Sequence, residues 1–241
     1  MHRDPAANLI VALDFPEQGQ ALSLANLLTP KVKFYKVGLE LFVNSGPPVV
    51  TAIKEMGARV FLDLKFHDIP NTVKRAVACA TRLGADIISI HLKMGAEGVR
   101  AASEGAEEAS VSGGGGKPLI AGVTVLTSQG AAEPSEKTGS VLEEVLRLCR
   151  LARDCGVNGI ITSVKEAGDV RRLLGPGCSI ITPGIRLTAA LDDHKRAGTV
   201  RDALDAGADY LVVGRPITRA PDPLRAAEEF LAQMKVFGSK P

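Results

Sequence analysis

Tryptophan is absent from this 241-residue chain, and two tyrosines and seven phenylalanines make up its whole aromatic content. With no aromatics interleaved among basic residues, nothing can form a base-stacking platform for nucleic acid. Charge of one sign is lacking too: the formal net charge is +2, and lysines and arginines are scattered instead of gathered in a tract. Nucleic acid is therefore not an expected partner, and local basic residues are left to small anions. No apolar run is long enough to span a membrane, and Met1-His-Arg-Asp-Pro5 enters an apolar strand without a signal-peptide core. The expectation is a cytoplasmic protein with no membrane partner. Cysteine is scarce, and Cys79, Cys149, Cys155 and Cys178 show no CxxC spacing. They read as reduced, mostly buried small hydrophobes, with no metal site. No GxGxxG or GxxxxGK[ST] follows any strand, which removes the common nucleotide fingerprints. The run Gly113-Gly-Gly-Gly116 leads into a strand, not a helix, and reads as a flexible connection on the passive side of the fold.

What is present is a repeated alternation. Apolar, β-branched runs at Leu9–Asp14, Phe34–Gly38, Arg59–Lys65, Ile87–His91, Leu119–Val125, Gly159–Ser163, Ser179–Pro183 and Tyr210–Arg215 are separated by helical patterns such as Val141–Asp154. Glycines 57, 84, 156 and 207 lie just before strands, where each can end a helix in a left-handed conformation. Eight strands alternating with helices predict an α/β fold, a closed (β/α)8 TIM barrel, with residues 1–241 as a single domain. A doubly wound open sheet is the alternative.

Such barrels carry their sites at the carboxyl ends of the strands. There the segment Phe61-Leu-Asp-Leu-Lys-Phe-His-Asp-Ile69 packs two aspartates and a lysine into an apolar strand. Alternation puts Asp63 and Lys65 on one face and Leu62, Leu64 and Phe66 on the other. Asp68 follows at the strand end, within reach of folding back on the pair. The array can hold a charged lysine as a proton donor, and it equally fits a buried structural salt bridge. Asp14 on the first strand and Lys36 on the second should converge with it. The seventh and eighth strands run into Thr182-Pro-Gly-Ile-Arg186 and Val213-Gly-Arg-Pro-Ile217, which makes Arg186, Gly214 and Arg215 phosphate-binding candidates. His91 can line the mouth or pack in the core, and His67 carries no assigned chemistry.

These segments, together with Ala12-Leu-Asp14, Lys36-Val-Gly38 and the DxKxxDIPxT element Asp63-Leu-Lys-Phe-His-Asp-Ile-Pro-Asn-Thr72, resemble the bacterial orotidine 5′-phosphate decarboxylase family, in order and over essentially the whole chain. The resemblance implies decarboxylation of orotidine 5′-monophosphate to uridine 5′-monophosphate, the last step of pyrimidine nucleotide synthesis, with no metal or organic cofactor. It implies a homodimer, with Asp68 and Thr72 contributed across the interface. By the same resemblance Lys65 protonates C6, Asp63 faces the substrate carboxylate, and Asp14 and Lys36 bind ribose hydroxyls. Thr127 meets the pyrimidine edge, while Arg186, Gly214 and Arg215 hold the phosphate. His194 stands where the family usually has a glutamine bridging phosphate and base, and it can still donate a hydrogen bond. Magnesium-dependent 3-keto-hexulose-phosphate synthases and keto-gulonate-phosphate decarboxylases share the DxKxxD strand, but they place a glutamate ligand where this chain has Lys36, a cation that would repel Mg²⁺.

Overall fold

The structure, a computed structural model, describes residues 5–113, 116–126, 140–188 and 198–238. Its strands are β1 (Leu9–Ala12), β2 (Phe34–Gly38), β3 (Arg59–Phe66), β4 (Ile87–His91), β5 (Leu119–Val123), β6 (Gly159–Ile161), β7 (Ser179–Pro183), β8 (Ile185–Arg186), β9 (Gly198–Thr199) and β10 (Tyr210–Val213). Eight of them close a parallel barrel in the order β1-β10-β7-β6-β5-β4-β3-β2, the expected (β/α)8 fold. The remaining two form a small separate sheet, pairing Ile185 with Gly198 and Arg186 with Thr199. Hydrophobic periodicity predicts no strand at Arg186. The structure instead pins it in this two-stranded clasp.

Strand alternation sorts the side chains into two layers. Ile10, Ala12, Phe34, Phe61, Ile87, Ala121, Ile181 and Val212 fill the barrel interior, while their neighbours such as Val11, Tyr35, Leu62 and Ile88 pack outward against the helices. Each fully buried large apolar side chain contributes about 1.5–3 kcal/mol relative to exposure. Tyr35 ties β2 to the preceding helix, its hydroxyl donating to the carbonyls of Ala25 and Val32 at 3.0 and 3.2 Å. Burial pushes its pKa up to about 12.

The predicted helix Val141–Asp154 forms with those limits because Ser140 and Glu143 close a reciprocal capping box at its start. Glycines 57, 84, 156 and 207 all adopt positive φ, between 73 and 85°, as the sequence pattern requires. Several barrel strands are shorter than the apolar runs that announced them, β1 ending at Ala12 and β6 at Ile161. Beyond β1, Asp14 reaches the mouth of the site, whereas Ser163, beyond β6, is buried and caps the helix that follows. Cys149, Cys155 and Cys178 are buried free thiols, whereas Cys79 is exposed. The glycine run straddles the end of the helix Gly95–Gly113, and residues 114–115 lie outside the described residues.

Candidate active site

Interior-facing positions on β2 and β3 begin with phenylalanines at the barrel floor and end with charges at the mouth: Phe34 gives way to Lys36, and Phe61 to Asp63. Adjacent registers then bring these charges together. Lys36 Nζ lies 2.8 Å from Asp14 Oδ1 and 3.5 Å from Asp63 Oδ2, and Lys65 Nζ lies 2.8 Å from the same Asp63 oxygen. The result is an alternating row, Asp14, Lys36, Asp63, Lys65. Its inner members are well covered, with 11% exposure for the side chains of Lys36 and Asp63 against 60% for Asp14.

Asp63 is the electrostatic centre of this row. Desolvation is the largest single influence on its carboxyl and pushes the pKa up, but the positive fields of Lys36 and Lys65, joined by the hydrogen-bonding influence of the Lys65 and Ser89 side chains, outweigh it, so the net direction is down. The carboxylate is ionised at neutral pH and keeps both ammonium groups paired. Its other oxygen, Oδ1, is buried with no hydrogen-bond partner. An unmatched buried acceptor of this kind costs about 1–3 kcal/mol, more when charged, and such a cost is common where a ligand supplies the missing neighbour.

Lys65 carries a second cost. Its φ of 50° makes it the only non-glycine residue with positive φ among the described residues. Such strain costs roughly 1–3 kcal/mol and clusters at functional positions. The cause is a break in the β3–β4 ladder, whose register jumps from Leu62↔Ile88 to Phe66↔Ile90. The expected side-chain faces hold nevertheless: Leu62, Leu64 and Phe66 pack against the outer core, and Lys65 reaches Asp63.

Beside this row opens a cavity of about 200 Å³ whose polar lining comes from Asp14, Lys36, Arg186, Gly214 and Arg215. β1 and β2 therefore serve both halves of the mouth. Gly38 makes their meeting possible, since a Cβ there would fall 2.9 Å from Lys36 Nζ and 3.0 Å from Asp14 Oδ1. Gly38 belongs to the Lys36-Val-Gly38 segment, but its need for a bare Cα emerges only from the contact between strands. Two arginines, a lysine and a glycine around a concave mouth suit a dianionic group, with the guanidinium forks offering paired donors.

Asp68 and Thr72 are not part of this cluster. Both are exposed, within an exposed run from His67 to Thr72 that opens the helix Pro70–Arg82. Asp68 does not fold back on Lys65: its Oδ1 accepts the Ile69 N–H at 2.6 Å. Within one chain the row stops at Lys65. Thr127 and His194 lie outside the described residues.

His91 sits half-buried at the mouth, its ring centroid 5.3 Å from that of exposed His67. Burial, followed by the nearby His67, Lys93 and Lys65, lowers its pKa to about 4, so it is neutral at pH 7. Nδ1 accepts the Lys93 N–H at 3.3 Å, which leaves the ring proton on Nε2 as a donor.

The sequence matches the family described as Orotidine 5'-phosphate decarboxylase / HUMPS family over residues 7–230. It is 45% identical over 230 residues to an orotidine 5'-phosphate decarboxylase of Nitratidesulfovibrio vulgaris, covering 95% of this chain and 97% of that protein. Another, from Alkalilimnicola ehrlichii, is 47% identical over 223 residues, covering 91% and 93%. Among solved structures, the orotidine 5'-phosphate decarboxylase of Lactobacillus acidophilus superposes with a TM-score of 0.83 at 33% identity, covering 94% of this chain and 98% of that one.

Proposed function

This chain belongs to the orotidine 5'-phosphate decarboxylase / HUMPS family, and from that premise we propose that it converts orotidine 5′-monophosphate to uridine 5′-monophosphate and carbon dioxide by fixed charge alone, without metal or organic cofactor. The observation that carries this reading is the Lys65 ammonium held 2.8 Å from a buried aspartate that it shares with Lys36.

The chemical difficulty is an electron pair left on C6 when the bond to the carboxylate carbon breaks, with no adjacent group to delocalise it. Lys65 stabilises that charge as it develops and then transfers a proton to C6. Solvent later returns a proton to the amine. Such stabilisation counts only if the charge is in place before the reaction starts, and the Asp63 contact provides that. The unpartnered Asp63 Oδ1 faces the substrate carboxylate, a like-charge contact relieved as neutral carbon dioxide departs. Asp14 and Lys36 bind the ribose, and Arg186, Gly214 and Arg215 hold the phosphate, whose binding energy orders the site from a distance. Thr127 contacts the pyrimidine edge, and His194 takes the place of the bridging glutamine. A divalent cation is disfavoured between Asp14 and Asp63, because Lys36 already stands 2.8 and 3.5 Å from them.

The active unit is a homodimer in which Asp68 and Thr72 enter the partner's site. In support, both residues are exposed, and so are the apolar side chains of adjacent Ile69 (66%) and, on the helix that follows β2, of Leu39 (54%) and Val43 (77%). Residues 1–241 serve as one barrel domain of a cytoplasmic enzyme in the last step of pyrimidine nucleotide synthesis. Ultraviolet absorbance with excess EDTA tests the reaction: conversion to uridine 5′-monophosphate supports it, and a requirement for magnesium or turnover of a sugar phosphate alone would refute it. Mixing Lys65→Ala with Asp68→Ala subunits tests the dimer, since each hybrid regains one intact site only if Asp68 acts in trans.

A further inference from the structure

We propose that Ser89 is a positioning residue for Lys65, its buried hydroxyl holding the lysine backbone in the left-handed conformation that sets the ammonium against Asp63. The inference rests on the decarboxylase reading for its kinetic consequences, but the geometry stands without it.

Between the paired residues Leu62↔Ile88 and Phe66↔Ile90, three residues of β3 face one residue of β4. That one residue is Ser89. The extra residues throw the Lys65 N–H out of register with the carbonyls of β4, which would leave a buried donor unmatched. The Ser89 Oγ accepts it at 2.8 Å. Ser89 is 0% exposed, flanked by the outward-facing Ile88 and Ile90, so it shares the inner face of β4 with Ile87 below and His91 above. It also lies beside the Asp63 carboxylate. A serine in an otherwise aliphatic buried stretch of strand needs polar partners: its oxygen accepts the backbone N–H of the proposed proton donor, and its hydroxyl also favours the ionised Asp63 carboxylate.

Removing this acceptor leaves the Lys65 amide with no bond to hold it. The peptide then relaxes towards negative φ, the conformation ordinary for a lysine, and the side chain is carried away from Asp63. The groups proposed to bind phosphate lie on β8 and after β10, separated from β4 by other strands, so ground-state binding should be spared.

The test compares wild type with Ser89→Ala and Ser89→Thr. Ser89→Ala should lower kcat by roughly 30- to 100-fold with KM changed less than about threefold, while Ser89→Thr, which keeps the acceptor, recovers most of kcat. Affinity for uridine 5′-monophosphate should be unchanged in Ser89→Ala, whereas a nucleotide with an anionic oxygen on C6 should lose affinity by about the same factor as kcat. Equal losses for both ligands, or wild-type kcat in Ser89→Ala, would overturn the proposal. Should the alanine variant not fold, Ser89→Cys carries the test, its weaker acceptor giving an intermediate kcat; wild-type kcat there has the same negative meaning. If wild type itself fails to turn over orotidine 5′-monophosphate, the functional reading falls, and amide exchange still decides this one. The Lys65 N–H should be protected in wild type and exchange at least tenfold faster in Ser89→Ala, and equal rates would reject the hydrogen bond.

Discussion

The floor and the mouth of this barrel use the same residue types to opposite ends. At the floor, Asp86 accepts the Val60 N–H at 2.7 Å and Lys54 Nζ at 2.8 Å through one oxygen, and its other oxygen lies 3.8 Å from Arg59, whose guanidinium covers the Phe34 ring. Asp209 repeats the device half a barrel away, accepting the Ile180 N–H at 2.7 Å and bonding Arg171, which also donates to the carbonyls of Gly175, Cys178 and Gly207. Both aspartates follow a left-handed glycine by two residues, so one short motif ends a helix and fastens the neighbouring strand. At the mouth, Asp63 has one oxygen shared by two lysines and the other unmatched, next to a strained Lys65. Charges at the floor are tied to backbone and stabilise the fold; charges at the mouth are tied mainly to each other. The difference marks which end can take up a charged ligand.

Substitutions can test this division. The largest effect is expected for Lys65→Ala, with kcat lowered roughly 10³-fold or more while the product nucleotide still binds and the melting temperature holds. Near-normal turnover would remove Lys65 as the proton donor and erase the contrast. Asp63→Asn should follow at about 10²- to 10³-fold in kcat, since the two ammonium groups lose their common partner. It also has a pH signature. The folded-state pKa of Asp63 is below the ordinary 3.8, so the unfolded chain binds more protons in this range; the stabilisation is present above that value and disappears as pH falls through the lowered one. Wild type should therefore be more stable than Asp63→Asn at pH 7, with the gap closing in acid, as chemical denaturation at several pH values would reveal.

Asp209→Ala should act in the other direction, losing about 2–3 kcal/mol of stability with kcat per folded site unchanged. A kcat loss larger than the stability change explains would connect floor to mouth. The smallest effect is expected for Gly38→Ala, where the new methyl presses on the Lys36–Asp14 pair and should raise KM by roughly tenfold with little change in melting temperature. An unchanged KM would mean that the pair shifts freely and that its spacing does not govern binding.

Much of this organisation is legible in the chain. The period of strands and helices, the four strand-preceding glycines and the polar residues at strand ends are local patterns, and local patterns survive without knowledge of the partner strand. The convergence of Asp14, Lys36, Asp63 and Lys65 was legible for the same reason: neighbouring parallel strands with interior-facing charges at their ends have no other place to put them. Ser89 was harder. Its signal is a lone hydroxyl in Ile87-Ile-Ser-Ile-His91, but the hydrogen bond depends on a register jump in a different strand. The clasp around Arg186 was also missed, because two-residue strands carry no periodicity.

The sequence by itself determined the barrel, the family and the set of charges at its mouth, because alternation and spacing are written residue by residue. Tertiary structure decided how those charges are shared. Only the packed barrel sets one Asp63 oxygen between two lysines and leaves the other without a partner. Only strand pairing opens the bulge that strains Lys65 and places Ser89 beneath its amide. Register, burial and hydrogen-bond competition belong to pairs of distant segments, and no single segment encodes them.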